Sequence, residues 1–312
     1  MLRKLSLLIF VLLLLVIWSG ICFSEPIADG TEPQWDISAR QYHFGGNADF
    51  WLYYPSPSTN VISQLHAPQK QTMNVFEIKY NFCRNQYLRL NYGTTGEGNK
   101  GQGFDKDWNW TYSHDYNQLT DYGTMNFHGA QKNYNLDYGY KIGSSAESST
   151  YAFVGWTQHK STNELRDIVY YRENNIDITP TAQAVYGAYY NLDFKGCRLG
   201  LEHTVRVDQK LTINGLAALH FIDANLEGLW TNHTPAWSFK DNGSAKGFEL
   251  NVGAKYQFDS AISANFGYSY YYAKAKNCTR SMDEGSGYYV LSQKTDLELA
   301  QHGYYLGLSA IF

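Results

Sequence analysis

Cysteine is scarce, at four residues in 312. Cys22 falls in an N-terminal segment expected to be removed, which leaves Cys83, Cys197 and Cys278. An odd set in an exported chain argues against a disulfide framework. A basic excess is missing as well: 25 Lys and Arg stand against 29 Asp and Glu, a formal charge of −4. That balance excludes a protein that binds nucleic acid by neutralising phosphates. Mean hydropathy is −0.43, too polar for a helical membrane protein. No Gly-x-Ser-x-Gly elbow, phosphate-binding glycine loop or dinucleotide fingerprint occurs. His114-Asp115 and His128 come close in sequence to an acidic pair described below, but no His/Cys spacing approaches a recognised ligand set. No cofactor and no metal are expected.

Aromatic residues and period-two alternation are abundant. The chain carries 27 tyrosines and 8 tryptophans. In residues 248–258 the apolar set is Phe248, Leu250, Val252, Ala254, Tyr256 and Phe258, with Glu249, Asn251, Gly253, Lys255 and Gln257 between them. Residues 262–272 set Ile262, Ala264, Phe266, Tyr268, Tyr270 and Tyr272 against Ser263, Asn265, Gly267 and Ser269. Phe76, Ile78, Tyr80 and Phe82 alternate with Glu77, Lys79 and Asn81, and Leu88, Leu90 and Tyr92 with Arg89, Asn91 and Gly93. At the C-terminal end Tyr304, Leu306, Leu308, Ala310 and Phe312 share one parity. Alternate residues of a strand lie on opposite faces, so each segment has one apolar side. A soluble sandwich would turn that side inward, whereas a membrane barrel turns it to lipid.

The N-terminus tips the choice. Arg3 and Lys4 precede a nearly unbroken apolar run over 5–18, and Ser19, Gly20 and Ser24 follow ahead of Glu25-Pro26. This is the layout of a secretory signal peptide, expected over 1–24. Ile21 stands where a lipoprotein signal needs a small residue before Cys22, so lipidation is rejected. Removing Arg3 and Lys4, with no acidic residue before Glu25, takes the charge from −4 to −6. With a last strand ending on Phe312, the expectation is an all-β fold: a transmembrane antiparallel up-and-down barrel over 25–312 in a bacterial outer membrane. Tight reversals at 83–86, 143–149, 208–210 and 259–260 alternate with long polar segments at 55–60, 96–121, 163–181, 229–245 and 277–295. Short periplasmic turns and long outer loops behave this way, and the spacing gives roughly ten strands. A barrel of that size is filled by side chains rather than open. Glu77, Lys79, Arg89, Arg198, Glu202, Glu249 and Lys255 point to the lumen by parity, where charges must be paired.

Candidate chemistry lies in Asp105-Lys106-Asp107-Trp108. Two carboxylates two residues apart share one face of a strand. Crowding raises one pKa, so one group holds a proton while the other orients water. A calcium site or a solvated acidic loop fits the same spacing.

The layout resembles the omptins, outer-membrane endoproteases built as ten-stranded barrels. Asp105-Lys106-Asp107-Trp108 matches their Asp-x-Asp-Trp after a Gly-rich loop, here Gly96-Glu97-Gly98-Asn99-Lys100-Gly101. Asp36-Ile37-Ser38, Ile62-Ser63-Gln64-Leu65 and Gly155-Trp156-Thr157-Gln158-His159-Lys160 resemble further omptin strands in order, so the likeness runs from Trp35 to Phe312. The resemblance implies catalytic roles for Asp105 and Asp107, which would polarise water, and for His233, which would accept its proton. It also implies cleavage beside basic residues and lipopolysaccharide as an activating lipid. The family's second element is Asp-x-His; here the sequence reads Thr231-Asn232-His233. A hydroxyl at Thr231 holds a tautomer but does not stabilise an imidazolium as a carboxylate does, and losing such a carboxylate in a Ser-His-Asp site costs about 10⁴ in rate. Asp223, Glu227 and Asp241 are the carboxylates available as replacements.

Three functions compete. One is an omptin-type surface endopeptidase. The second is a structural or surface-binding, adhesin-like barrel, for which loops such as Trp108-Asn109-Trp110-Thr111-Tyr112 offer aromatic contact area for protein, peptide or glycan ligands. The third is a small channel, which the strand number disfavours. Thr231 inclines the reading to the second.

Overall fold

The computed structural model describes residues 34–54, 60–83, 85–108, 118–183, 187–231 and 234–312. The segment expected to be a signal peptide, 1–24, lies outside the described residues. Fifteen antiparallel strands form one sheet: β1 (Gln34–Tyr53), β2 (Val61–Pro68), β3 (Gln71–Cys83), β4 (Gln86–Thr95), β5 (Gly98–Trp108), β6 (Leu119–Gly129), β7 (Gln131–Ser144), β8 (Ser148–Ser161), β9 (Glu164–Glu173), β10 (Ile176–Gln183), β11 (Tyr189–Arg206), β12 (Leu211–Trp230), β13 (Trp237–Gln257), β14 (Ile262–Asp283) and β15 (Tyr289–Ile311). The periplasmic half closes as a ten-membered ring, β1-β3-β4-β7-β8-β11-β12-β13-β14-β15, with β15 returning to β1. In the outer half β2, β5, β6 and β9 take the places of β3, β4, β7 and β8. A ten-stranded barrel thus appears as fifteen elements, because several strands break halfway up.

The breaks form one layer. β1 changes neighbour from β3 to β2 near Gly46, whose φ is +142° and whose added Cβ would lie 2.0 Å from the Ala300 carbonyl oxygen. Only glycine tolerates that approach and backbone together. In the same layer Lys100 is fully buried, donating to Ser161 Oγ (2.8 Å), the Thr162 carbonyl (2.6 Å) and Asn163 Oδ1 (2.9 Å). The Gln301 amide donates to Gln131 and the Gln131 amide to Gln69, which continues the layer across the barrel.

Below this layer the apolar parities face outward, as the alternation requires of a lipid-facing belt: Phe76, Leu90, Leu201, Val252, Phe266 and Leu306 are all exposed. The parity-selected charges face the lumen and pair there. Arg40 meets Glu77 at 2.6 Å, Lys79 meets Glu202 at 2.8 Å, and Lys255 meets Asp36 at 2.8 Å. Asp137, wholly buried, accepts a bidentate pair from Arg198 (2.8 Å each) and a third bond from Arg89 (3.0 Å). Arg198 also reaches Glu249 at 2.7 Å and Arg89 reaches Glu202 at 2.8 Å. The network joins β1, β3, β4, β7, β11 and β13 through the lumen. Above it a chamber of about 110 Å³ is lined by Asn133, His159, His220 and Tyr271 among others. His159 Nε2 and His220 Nδ1 have no protein hydrogen-bond partner.

The periplasmic turns fall where the sequence placed them. Asp208 accepts backbone bonds from Lys210 and Leu211, and Asp259 from Ala261 and Ile262, the local closure that favours Asp in turns. The long polar segments need correction: 96–121, 163–181, 229–245 and 277–295 are largely strand, supplying β5, β9, and the outer ends of β13, β14 and β15. These strands rise beyond the belt, where no lipid enforces an apolar outer face, so they read as loops. Cys197 and Cys278 are free thiols.

Candidate functional site

β5 carries Asp105 and Asp107 in the outer half. Asp105 stands opposite Leu65 and Asp107 opposite Ser63 on β2; across the other edge Asp105 faces Gly123 and Asp107 faces Asp121 on β6. Directly opposed residues share a face, and Leu65 is buried in the core that fills the outer half. Both aspartates therefore point inward, as their spacing required, and Asp121 joins them. No spacing rule within one strand reveals that third carboxylate; the β5–β6 register does. Lys106 and Lys100 lie apart from the group: Lys106 is on the outer face over the Phe104 ring (4.5 Å) and Lys100 is bonded within the break layer.

The crowding raises Asp105 and Asp107. Burial, then Asp107 and Asp121, push the Asp105 carboxyl well above the usual carboxylate range. Burial pushes Asp107 up to about 6, with Asp121 adding and a hydrogen bond from Ser63 opposing. Tyr170 on β9, opposite Gly123, is raised by burial and by Asp105 and Asp107, and its ring occupies the space that Gly123 leaves. Asp105 therefore binds a proton more readily than an ordinary aspartate does.

Facing this wall is an aromatic stack. Tyr190 of β11 lies 5.6 Å from Phe50 of β1, 5.0 Å from Phe239 of β13 and 5.9 Å edge-on from Trp230 of β12. Trp230 Nε1 donates to the Tyr190 hydroxyl at 2.5 Å. Arg280 stacks on Phe239 at 4.5 Å and grips the buried Asp241 with two bonds of 2.8 and 2.7 Å, while Thr295 adds a third. Burial and then Asp105 push the Tyr190 hydroxyl up while Arg280 opposes, so the ring lies within electrostatic reach of both groups. Replacing Trp230 with Phe is expected to cost about 1 kcal/mol by deleting one buried hydrogen bond, measurable by urea unfolding in lipid vesicles.

Thr231 follows Trp230 in the turn that ends β12, whereas Asn232 and His233 lie outside the described residues. The three carboxylates proposed to replace the missing aspartate are engaged elsewhere. Asp241 is held by Arg280. Asp223 and Glu227 share the parity of exposed Phe221 and alternate with buried Ile222, Ala224 and Leu226, which places them on the outer face. Glu227 pairs there with Lys240 at 3.7 Å. His128 shares the outward parity of β6, and His114 and Asp115 lie outside the described residues. Among the described residues no group of three or more His, Cys, Asp or Glu side chains is placed to hold a metal ion.

The sequence profile of the Protochlamydia outer membrane protein family matches residues 47–302. The chain belongs to this family. Among solved structures, the barrel of this family member is similar to the outer membrane protease OmpT of Escherichia coli, with a TM-score of 0.80 over 89% of this chain and 97% of that one, at 13% identity. At that identity the likeness shows the fold: an omptin-like outer-membrane β-barrel. The translocator domain of the autotransporter NalP from Neisseria meningitidis matches at a TM-score of 0.38 and 10% identity, over 91% of this chain and 89% of that one. No curated protein matches the chain.

Proposed function

We propose that this outer-membrane barrel is a structural and surface-binding protein of adhesin type, whose acidic rim of Asp105, Asp107 and Asp121 receives cationic segments of an extracellular peptide or protein. The observation that carries this reading is the stack of Phe50, Tyr190, Phe239 and Trp230, which joins β1 to β11, β12 and β13 and packs the outer half near the acids with aromatic rings. Thr231, in the position of the orienting carboxylate, supports it from the sequence.

The second reading is an omptin-type endopeptidase using Asp105, Asp107 and His233, with lipopolysaccharide as activating lipid. The inward acidic pair, both members pushed above the usual carboxylate range, favours it. The deciding experiment incubates the refolded barrel and lipopolysaccharide with peptides bearing paired basic residues, beside Asp105→Asn and His233→Ala variants. The expected result is retention of the peptide without cleavage, weakened by Asp105→Asn. Turnover that both substitutions abolish would overturn the binding reading in favour of the protease.

A further inference from the structure

The chamber of about 110 Å³ in the lumen is lined by two histidines that form none of the Arg and Lys ion pairs below it. His159 of β8 and His220 of β12 are both buried. Both pack on the Tyr271 ring of β14, at 5.6 Å in a stacked and 5.3 Å in an edge-on arrangement. His159 Nε2 and His220 Nδ1 make no hydrogen bond among the described residues. A buried imidazole nitrogen left without a partner is costly, so an occupant of the chamber that satisfies both is favoured. His220 is oriented from behind. Its Nε2 lies 3.5 Å from the Glu249 carboxylate, which Arg198 holds at 2.7 Å. A carboxylate behind an imidazole is the arrangement that turns the other ring nitrogen toward a metal ion.

A thioether belongs to the same lining. Met73 of β3 is buried, with Sδ 3.6 Å from the Asn133 amide nitrogen, and Asn133 stands directly opposite His159 across β7 and β8. Gly93 of β4 makes room for that sulfur: an added Cβ would lie 2.6 Å from Met73 Sδ, and the backbone there has no positive φ. Contact with the sulfur, and not backbone conformation, asks for glycine. Phe44 and Val75 wall the chamber with apolar surface. Below it Tyr42, Asn91, Asn135 and Glu249 also line a second chamber of about 100 Å³ within the ion-pair network, so the two adjoin. The cations of that network already have their acids, Arg40 with Glu77, Lys79 with Glu202 and Arg198 with Asp137.

We propose that the chamber binds one soft monovalent metal ion, of the copper(I) class, through His159, His220 and Met73. Thioether and imidazole donors select such an ion. Zinc wants a tetrahedral set of thiolate, imidazole or carboxylate ligands and calcium a shell of oxygens. Among the described residues no group of three His, Cys, Asp or Glu side chains supplies either. A monovalent ion also brings the least uncompensated charge into a lumen whose acids are engaged. The site lies beneath the glutamine layer and does not depend on the acidic rim.

The test titrates silver(I), the redox-stable ion of the same class, into the full barrel in detergent with nitrogen-15 histidine. Each barrel is first shown to be folded by its heat-modifiable gel mobility. Imidazole signals report the site directly, so silver taken up by the free thiols does not obscure it. The His159 and His220 signals are expected to move together and to saturate before those of the exposed His203 and His302. His159→Gln is expected to weaken the His220 response about tenfold or more, and Met73→Leu to weaken both by about tenfold. His220→Gln reports on His159 in the same way should the first variant fail to fold. His203→Gln is expected to change neither. His159 and His220 signals that stay fixed while His203 titrates would overturn the site, and that outcome needs no variant. An unaltered His220 response in His159→Gln would overturn a shared ion. Equally tight saturation by zinc(II) would overturn the assignment to a soft ion.

Discussion

Asp137→Ala is expected to destabilise the barrel by about 3–5 kcal/mol, because it removes the carboxylate that two buried guanidinium groups share inside the membrane-spanning half. Asp137 is wholly buried and takes three charge-assisted bonds from Arg198 and Arg89. Each arginine keeps one further acid, Glu249 or Glu202, so the network thins but does not vanish. Asp137→Asn is expected to lose less, since the amide oxygen still accepts one bond. Urea unfolding in vesicles, followed by tryptophan fluorescence, separates the two. A loss below about 1 kcal/mol for Asp137→Ala would mean that the charges are hydrated and that lumen pairing is not what holds this half together.

That half was also the legible one. Lipid on one side and paired charge on the other force strict alternation, so Phe248, Leu250 and Val252 declare one face while Glu249 and Lys255 declare the other. The partners were not legible: Lys79 finds Glu202 across 123 residues of sequence, which barrel closure alone decides. Above the membrane the constraint disappears. β5 and β9 are polar on the outer face and read as loops, although Leu165 and Ile168 give β9 a buried apolar inner face and β5 turns Gly103, Asp105 and Asp107 to the same interior.

The same contrast governs the candidate site. The shared face of Asp105 and Asp107 followed from their spacing, because strand parity is local. Asp121 was invisible as a partner, since its place depends on how β6 pairs with β5. The aromatic stack was invisible for a different reason: Phe50, Tyr190, Trp230 and Phe239 belong to four strands, and any of them alone reads as an ordinary inward aromatic residue. The stack and the acids both follow from one arrangement, in which strands far apart in sequence meet in the outer half.

Crowding at the acidic rim has a measurable consequence. The folded barrel holds the Asp107 carboxyl at about 6, against 3.8 for an ordinary aspartate, chiefly through burial and then Asp121. A carboxyl whose pKa rises on folding binds its proton more tightly in the folded state. Its stabilising contribution is therefore complete below about pH 3.8 and lost as pH climbs through about 6. Asp105, raised by burial and then by Asp107 and Asp121, adds a loss of the same sign. Asp107→Asn is accordingly expected to stabilise the outer half by about 2–3 kcal/mol at pH 8 and hardly at all at pH 4. Protease nicking of the outer strands at the two pH values, beside the unchanged belt, is the measurement. If the variant gains as much at pH 4 as at pH 8, the effect is packing and the acids carry no electrostatic strain. If the gain appears only at high pH, the wild type retains charge crowding that a purely structural rim would shed through one substitution, and a cationic ligand that relieves it would bind more tightly as pH rises.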